Sequence, residues 1–126
     1  MTRPPLLGIR HVALFVADLP GAERFWIEVM GYEVEWRPDP DNVYLHGAHD
    51  NLALHRGGGG AGGRLDHIGI AVANAGDVDE WARHLTAHGV ALKAAPRSHR
   101  DGSRSLYFDG PEGLLIQIIH HSPMVG

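Results

Sequence analysis

Two stretches of the chain share one pattern of polar and apolar positions. RHVALFVAD, residues 10–18, and DHIGIAVAN, residues 66–74, each place a histidine ahead of alternating β-branched and small residues and end on Asp or Asn. Their histidines, His11 and His67, lie 56 residues apart. Period-two alternation predicts a half-buried strand in each copy. Behind the first copy, Pro20 is followed by Ala22, Phe25, Trp26, Val29 and Met30, spaced for one helix face, and then by Gly31. Behind the second, Asp77 and Glu80 suit a capping box, Val78, Trp81, Ala82 and Leu85 form an apolar stripe, and Gly89 closes the segment. Both read as helices with a glycine stop. Three strand-like segments follow each helix: residues 32–37, 42–47 and 51–56 in the first half, and 90–95, 104–109 and 114–120 in the second. The chain therefore predicts one domain over residues 1–126, an internal duplication of a βαβββ module. Module one spans about 8–56 and module two about 64–121. The Gly-rich segment 57–63 lacks the Lys-Ser/Thr and the helix of a phosphate-binding loop, and reads as a linker.

Strand parity separates two faces. Val12, Leu14 and Val16 share one face of the first strand, as Ile68, Ile70 and Val72 do in its repeat, which suits packing under a helix. His11, Ala13 and Phe15 share the other, matched by His67, Gly69 and Ala71. A histidine among small residues on two related strands leaves room for a ligand.

Composition narrows the class of partner. The 126 residues carry a formal net charge of −4, which gives no basic field for nucleic acid or anionic lipid, so a small molecule is the expected partner. No apolar run approaches the ~18 residues of a membrane span and the N-terminus has no apolar signal core, so the chain reads as a soluble cytoplasmic protein. With no cysteine, a metal would have to be held by histidine, carboxylate or amide oxygen.

At these positions the chain resembles the vicinal oxygen chelate superfamily of glyoxalases, bleomycin-resistance proteins and ring-cleaving dioxygenases. The family's final-strand motif is matched by Asp109-Gly110-Pro111-Glu112-Gly113-Leu114-Leu115-Ile116-Gln117, and the likeness runs from about residue 8 to 121. It implies an α+β fold in which two βαβββ modules curl a mixed sheet into a cup, with the helices outside. It implies metal ligands at the start of each module's first strand and within its last. His11, His67 and Gln117 then become the expected ligands of a divalent first-row ion, with Zn, Ni, Mn, Fe and Co suited alike. Two positions depart from the family pattern: its carboxylate ligands are replaced by Ala53 and Gln117. A neutral amide cannot abstract a proton, which disfavours glyoxalase I proper. His55, two residues beyond Ala53, is an alternative ligand, although a two-residue step along a strand is roughly 6–7 Å.

The expected function is accordingly a metal-dependent enzyme whose ion acts as a Lewis acid on a small oxygen-bearing substrate, anionic or neutral. The rival is a metal-free protein of the bleomycin-resistance type that sequesters a drug or metabolite. Phe15, Arg97, Arg104 and Tyr107 are the expected substrate contacts, the arginines because a guanidinium suits an oxyanion. Trp36 and Tyr44 read as core, His46, His49, His84, His88 and His99 as solvated, and His121 as a rim residue. A homodimer is expected, because modules of this family complete cups by pairing and a dimer covers strand edges.

Overall fold

The computed structural model describes residues 3–57 and 64–125, so the expected linker, apart from Gly57, lies outside the described residues. Module one comprises β1 (Leu6–Val16), α1 (Leu19–Arg24), β2 (Glu33–Asp39), β3 (Asn42–His46) and β4 (Asn51–Arg56). Module two repeats it as β5 (Leu65–Val72), α2 (Ala75–Ala87), β6 (Leu92–Ser98), β7 (Arg104–Asp109) and β8 (Leu115–His120). All eight strands form one mixed sheet in the order β2-β3-β4-β1-β5-β8-β7-β6. Each module pairs its first and last strands in parallel, β1 with β4 and β5 with β8, and the modules join antiparallel along β1 and β5. The cup thus forms within one chain.

The first helix differs from the sequence expectation. After Arg24 it widens into a π-helical turn, Phe25–Val29, closed by the Met30 amide donating to the Phe25 carbonyl, with Gly31 at φ 82° ending it. Asp18 caps its start through the Gly21 amide. In α2 the capping box is Asn74 with Asp77, one turn earlier than the expected Asp77 and Glu80. A capping box needs its first member just outside the helix, and Asp77 already lies inside it.

One face of the sheet feeds two cores. Leu19, Val43, Leu45, Leu52 and Leu54 are buried with Val12, Leu14, Val16 and Trp26 packed against them. Val72, Val78, Leu85, Leu106 and Ile118 form the second core beneath α2, with Ile70 and Trp81 packed on it. The apolar parity of β1 and β5 is therefore spent on the helices, and the opposite face is left for the cup.

Candidate metal centre and its cup

Register across the seam places the polar groups in two rows. One runs Asn51, His11, Gly69, Gln117, Tyr107 across β4, β1, β5, β8 and β7. The other runs Trp36, Tyr44, Ala53, Ala13, His67 across β2, β3, β4, β1 and β5. Each histidine thus sits opposite a small residue of the other module. The reason is steric at Gly69, where a Cβ would come within 2.6 Å of the His11 Cβ. With nothing projecting from Gly69, His11 and Gln117 can lean toward each other over it, and His67 is two residues along the same strand face.

The two imidazoles meet. His11 Nε2 and His67 Nε2 are 2.9 Å apart, and both residues are buried. Their far nitrogens are held from behind: His11 Nδ1 lies 2.7 Å from Asn51 Oδ1, and His67 Nδ1 lies 2.8 Å from Asp66 Oδ2. Both outer partners are acceptors, so each Nδ1 must carry the hydrogen. In neutral imidazole that leaves each Nε2 as a bare lone pair, and two lone pairs then face each other across a gap that only a proton or a metal cation can bridge. Burial, then the neighbouring His67, push the His11 pKa down to about 4 against the opposing effect of its hydrogen bond to Asn51.

Gln117 supplies a third group. It is buried on the cup floor, and its Oε1 is buried without a hydrogen-bond partner. An orphaned amide oxygen in the same cavity lining as the two imidazoles fits a cation-binding donor set of two imidazoles and one neutral oxygen. Among the described residues no three His, Cys, Asp or Glu side chains cluster in ligating range. His55 lines the same cavity, but its Nδ1 is engaged 2.6 Å from Asn42 Oδ1.

Above this floor is a cavity of about 290 Å3. Tyr107 forms part of its wall, its ring edge-on to His67 at 5.3 Å. Burial first, then Tyr44 and Asp66, push the Tyr107 hydroxyl up to about 12, with the Gln117 amide acting in the opposite sense. Arg97 lines the cavity. Arg104 does not: its guanidinium makes a two-pronged ion pair with Asp79 of α2, at 2.7 and 3.0 Å. Phe15 stands beyond the cavity lining, 6.2 Å from the His55 ring.

Several wall residues were not expected there. Trp36 and Tyr44, read from sequence as core, are stacked at 5.4 Å in the cavity wall, and the Arg100 guanidinium lies 5.8 Å over the Trp36 ring. Their row passes through Ala13 and Ala53, which are too small to lift them off the floor. His99, read as solvated, also lines the cavity and bonds Ser105 Oγ at 2.8 Å. His121 is a buried wall residue, 2.9 Å from Glu35 Oε2. Burial works to lower the His121 pKa, but Glu35, through hydrogen bond and charge, and Asp101 outweigh it, and the net direction is up.

The sequence model of the Glyoxalase/Bleomycin resistance protein/Dioxygenase superfamily matches residues 8–118. The chain belongs to this superfamily. Solved structures with the same fold include a Mn(II)-bound glyoxalase from Novosphingobium aromaticivorans, at 24% identity and a TM-score of 0.75 over 91% of this chain and 39% of the glyoxalase. A Streptomyces coelicolor methylmalonyl-CoA epimerase, in complex with 2-nitronate-propionyl-CoA, aligns at 20% identity and a TM-score of 0.71 over 94% of this chain and 99% of the epimerase. The 2,3-dioxygenase LapB from Pseudomonas sp. KL28 aligns at 16% identity and a TM-score of 0.77 over 90% of this chain and 42% of the dioxygenase. The superfamily chain thus spans under half the length of the glyoxalase and the dioxygenase, and nearly all of the epimerase. At these identities the likeness establishes a shared fold. Among the described residues no helix is long and apolar enough to cross a membrane.

Proposed function

We propose that this protein is a metal-dependent enzyme that binds a divalent first-row ion through His11, His67 and Gln117 and acts on a small anionic substrate bearing oxygen. The observation that carries the reading is the pair of Nε2 atoms 2.9 Å apart, each ring backed at Nδ1 by an oxygen of Asn51 or Asp66. The Mn(II)-bound glyoxalase among the structural neighbours is consistent with a divalent ion in this fold. When bound, the ion supplies Lewis acidity, undiminished by any anionic protein ligand. Arg97 and Arg100 offer guanidinium groups to an oxyanion, the Trp36–Tyr44 stack offers a flat apolar surface, and Tyr107, protonated at neutral pH, offers a hydroxyl donor.

A metal-free sequestering protein is the second reading, favoured by the same aromatic stack, which suits a planar ligand without any chemistry. Metal content of untagged protein separates the two. The enzyme reading expects about one ion per chain, retained through gel filtration. Protein that emerges without metal and gives no heat on titration with Zn2+ or Mn2+ sinks it in favour of sequestration.

We also propose a homodimer. Because the cup is completed within one chain, the dimer would serve to cover the edge strands β2 and β6 and the exposed Phe25, Val29 and Met30. Sedimentation at micromolar concentration should then give twice the chain mass of 13.7 kDa. A single species at the chain mass would remove the proposal without touching the metal site.

A further inference from the structure

Behind His11 the hydrogen-bond chain continues past Asn51. The Asn51 Nδ2 donates to Glu35 Oε2 at 3.1 Å, and that same oxygen is 2.9 Å from His121 Nε2. Glu35 lies on β2, three strands from β1, and its other carboxylate oxygen is buried without a partner. Asn51 is buried and carries an amide that can face either way. A carboxylate can only accept, so Glu35 obliges Asn51 to turn its Nδ2 toward β2. The carbonyl oxygen then faces His11, and His11 Nδ1 must donate. Without Glu35, the amide could reverse and donate to Nδ1, moving the ring hydrogen to Nε2 and closing the face that looks at His67.

The two histidines are thereby backed in different ways. His67 has a carboxylate directly behind it in Asp66, whereas His11 has one at second hand, relayed by an amide. Glu35 and Asp66 also place two negative charges just outside a ligand set that contains none. Outer groups of this kind orient ligating imidazoles and raise their basicity.

We propose that Glu35 is a positioning residue of the metal centre: acting through Asn51, it holds His11 in the Nδ1-protonated tautomer and keeps the Nε2 lone pair open to an ion. The inference rests on the metal-binding reading above for its consequence, but the tautomer it predicts belongs to the metal-free protein and can be read there.

Long-range 1H–15N correlation spectra of histidine-labelled, metal-free protein should show His11 protonated at Nδ1. In Glu35→Gln, nearly isosteric but no longer confined to accepting, the His11 signals should shift toward the Nε2-protonated or mixed form, and calorimetric Zn2+ affinity should fall roughly 10- to 100-fold. Glu33→Gln, on the same strand with an exposed side chain, should change neither. Adding Asn51→Asp to Glu35→Gln puts a carboxylate directly behind His11, as Asp66 stands behind His67, and should restore both tautomer and affinity. Wild-type His11 protonated at Nε2 would overturn the proposal with no variant needed, as would a Glu35→Gln protein whose His11 tautomer stays as in wild type. If the tautomer shifts as expected while no protein binds Zn2+, the positioning role stands and the metal reading fails. If wild type binds Zn2+ and Glu35→Gln binds it equally well, Glu35 does not act on the centre.

Discussion

His67→Ala is expected to lower affinity for a divalent ion at least ~100-fold, about 2.8 kcal/mol, while leaving the far-UV circular dichroism of the protein unchanged. Removing the ring takes away one of two imidazole donors, and an ion left with His11 and an amide has too few protein ligands to compete with water. The fold should survive because the ring projects into the cup, away from the two cores beneath the helices. The group that loses its partner, Asp66, has a side chain about one-third exposed, so water replaces the lost donor. His11→Ala should remove metal binding to the same degree but lower the thermal midpoint more. There the orphaned group is Asn51 Oδ1, in a residue only 4% exposed, and an unsatisfied buried acceptor costs about 1–3 kcal/mol. Calorimetry and thermal melts on the two variants side by side check both halves. Wild-type metal affinity in either variant would mean that its histidine is not a ligand.

The duplication, the strand faces and the histidine pair were legible in sequence because period-two parity is a local property. The offset shared by His11 and His67 needed no knowledge of how the modules dock. What stayed hidden depends on register between strands far apart in sequence. Trp36 and Tyr44 have the composition of core residues, and only the row through Ala53 and Ala13 shows that they stand on the cup face. Glu35 meets His121 across 86 residues of chain, a contact no local pattern announces. Asn51 could have been found: it opens β4 two residues before Ala53, on the same face. Arg104 could likewise have been set aside. It shares strand parity with the buried Leu106, and so faces α2, whereas Tyr107 has the opposite parity and faces the cup. Phe15 has the right parity, yet at its level of the sheet the paired residue His55, and not Phe15, enters the cavity lining.

Gln117→Glu should tighten divalent-metal binding by at least ~10-fold, about 1.4 kcal/mol. The substitution keeps the side-chain volume and changes a neutral oxygen donor into an anionic one, which binds a hard or borderline dication more strongly and offsets its charge. The same carboxylate should make the metal-free protein less stable, since it is introduced at a position 4% exposed where the existing amide oxygen already lacks a partner. Its neighbour Tyr107, directly across on β7, can donate a hydroxyl hydrogen and so reduce that penalty without removing it. Metal therefore raises the thermal midpoint by more in the variant than in wild type, the two opposing changes adding in the difference. Catalysis should move the other way. An ion partly neutralised by its own ligand is a weaker Lewis acid and a weaker attractor of an anionic substrate, so a variant that holds its metal more tightly should turn over more slowly. Titration calorimetry with Zn2+ and Mn2+, paired with melts of loaded and stripped protein, provides the measurement. Equal affinities in the two proteins would place Gln117 outside the coordination sphere, leaving His11 and His67 to bind with a donor other than this residue.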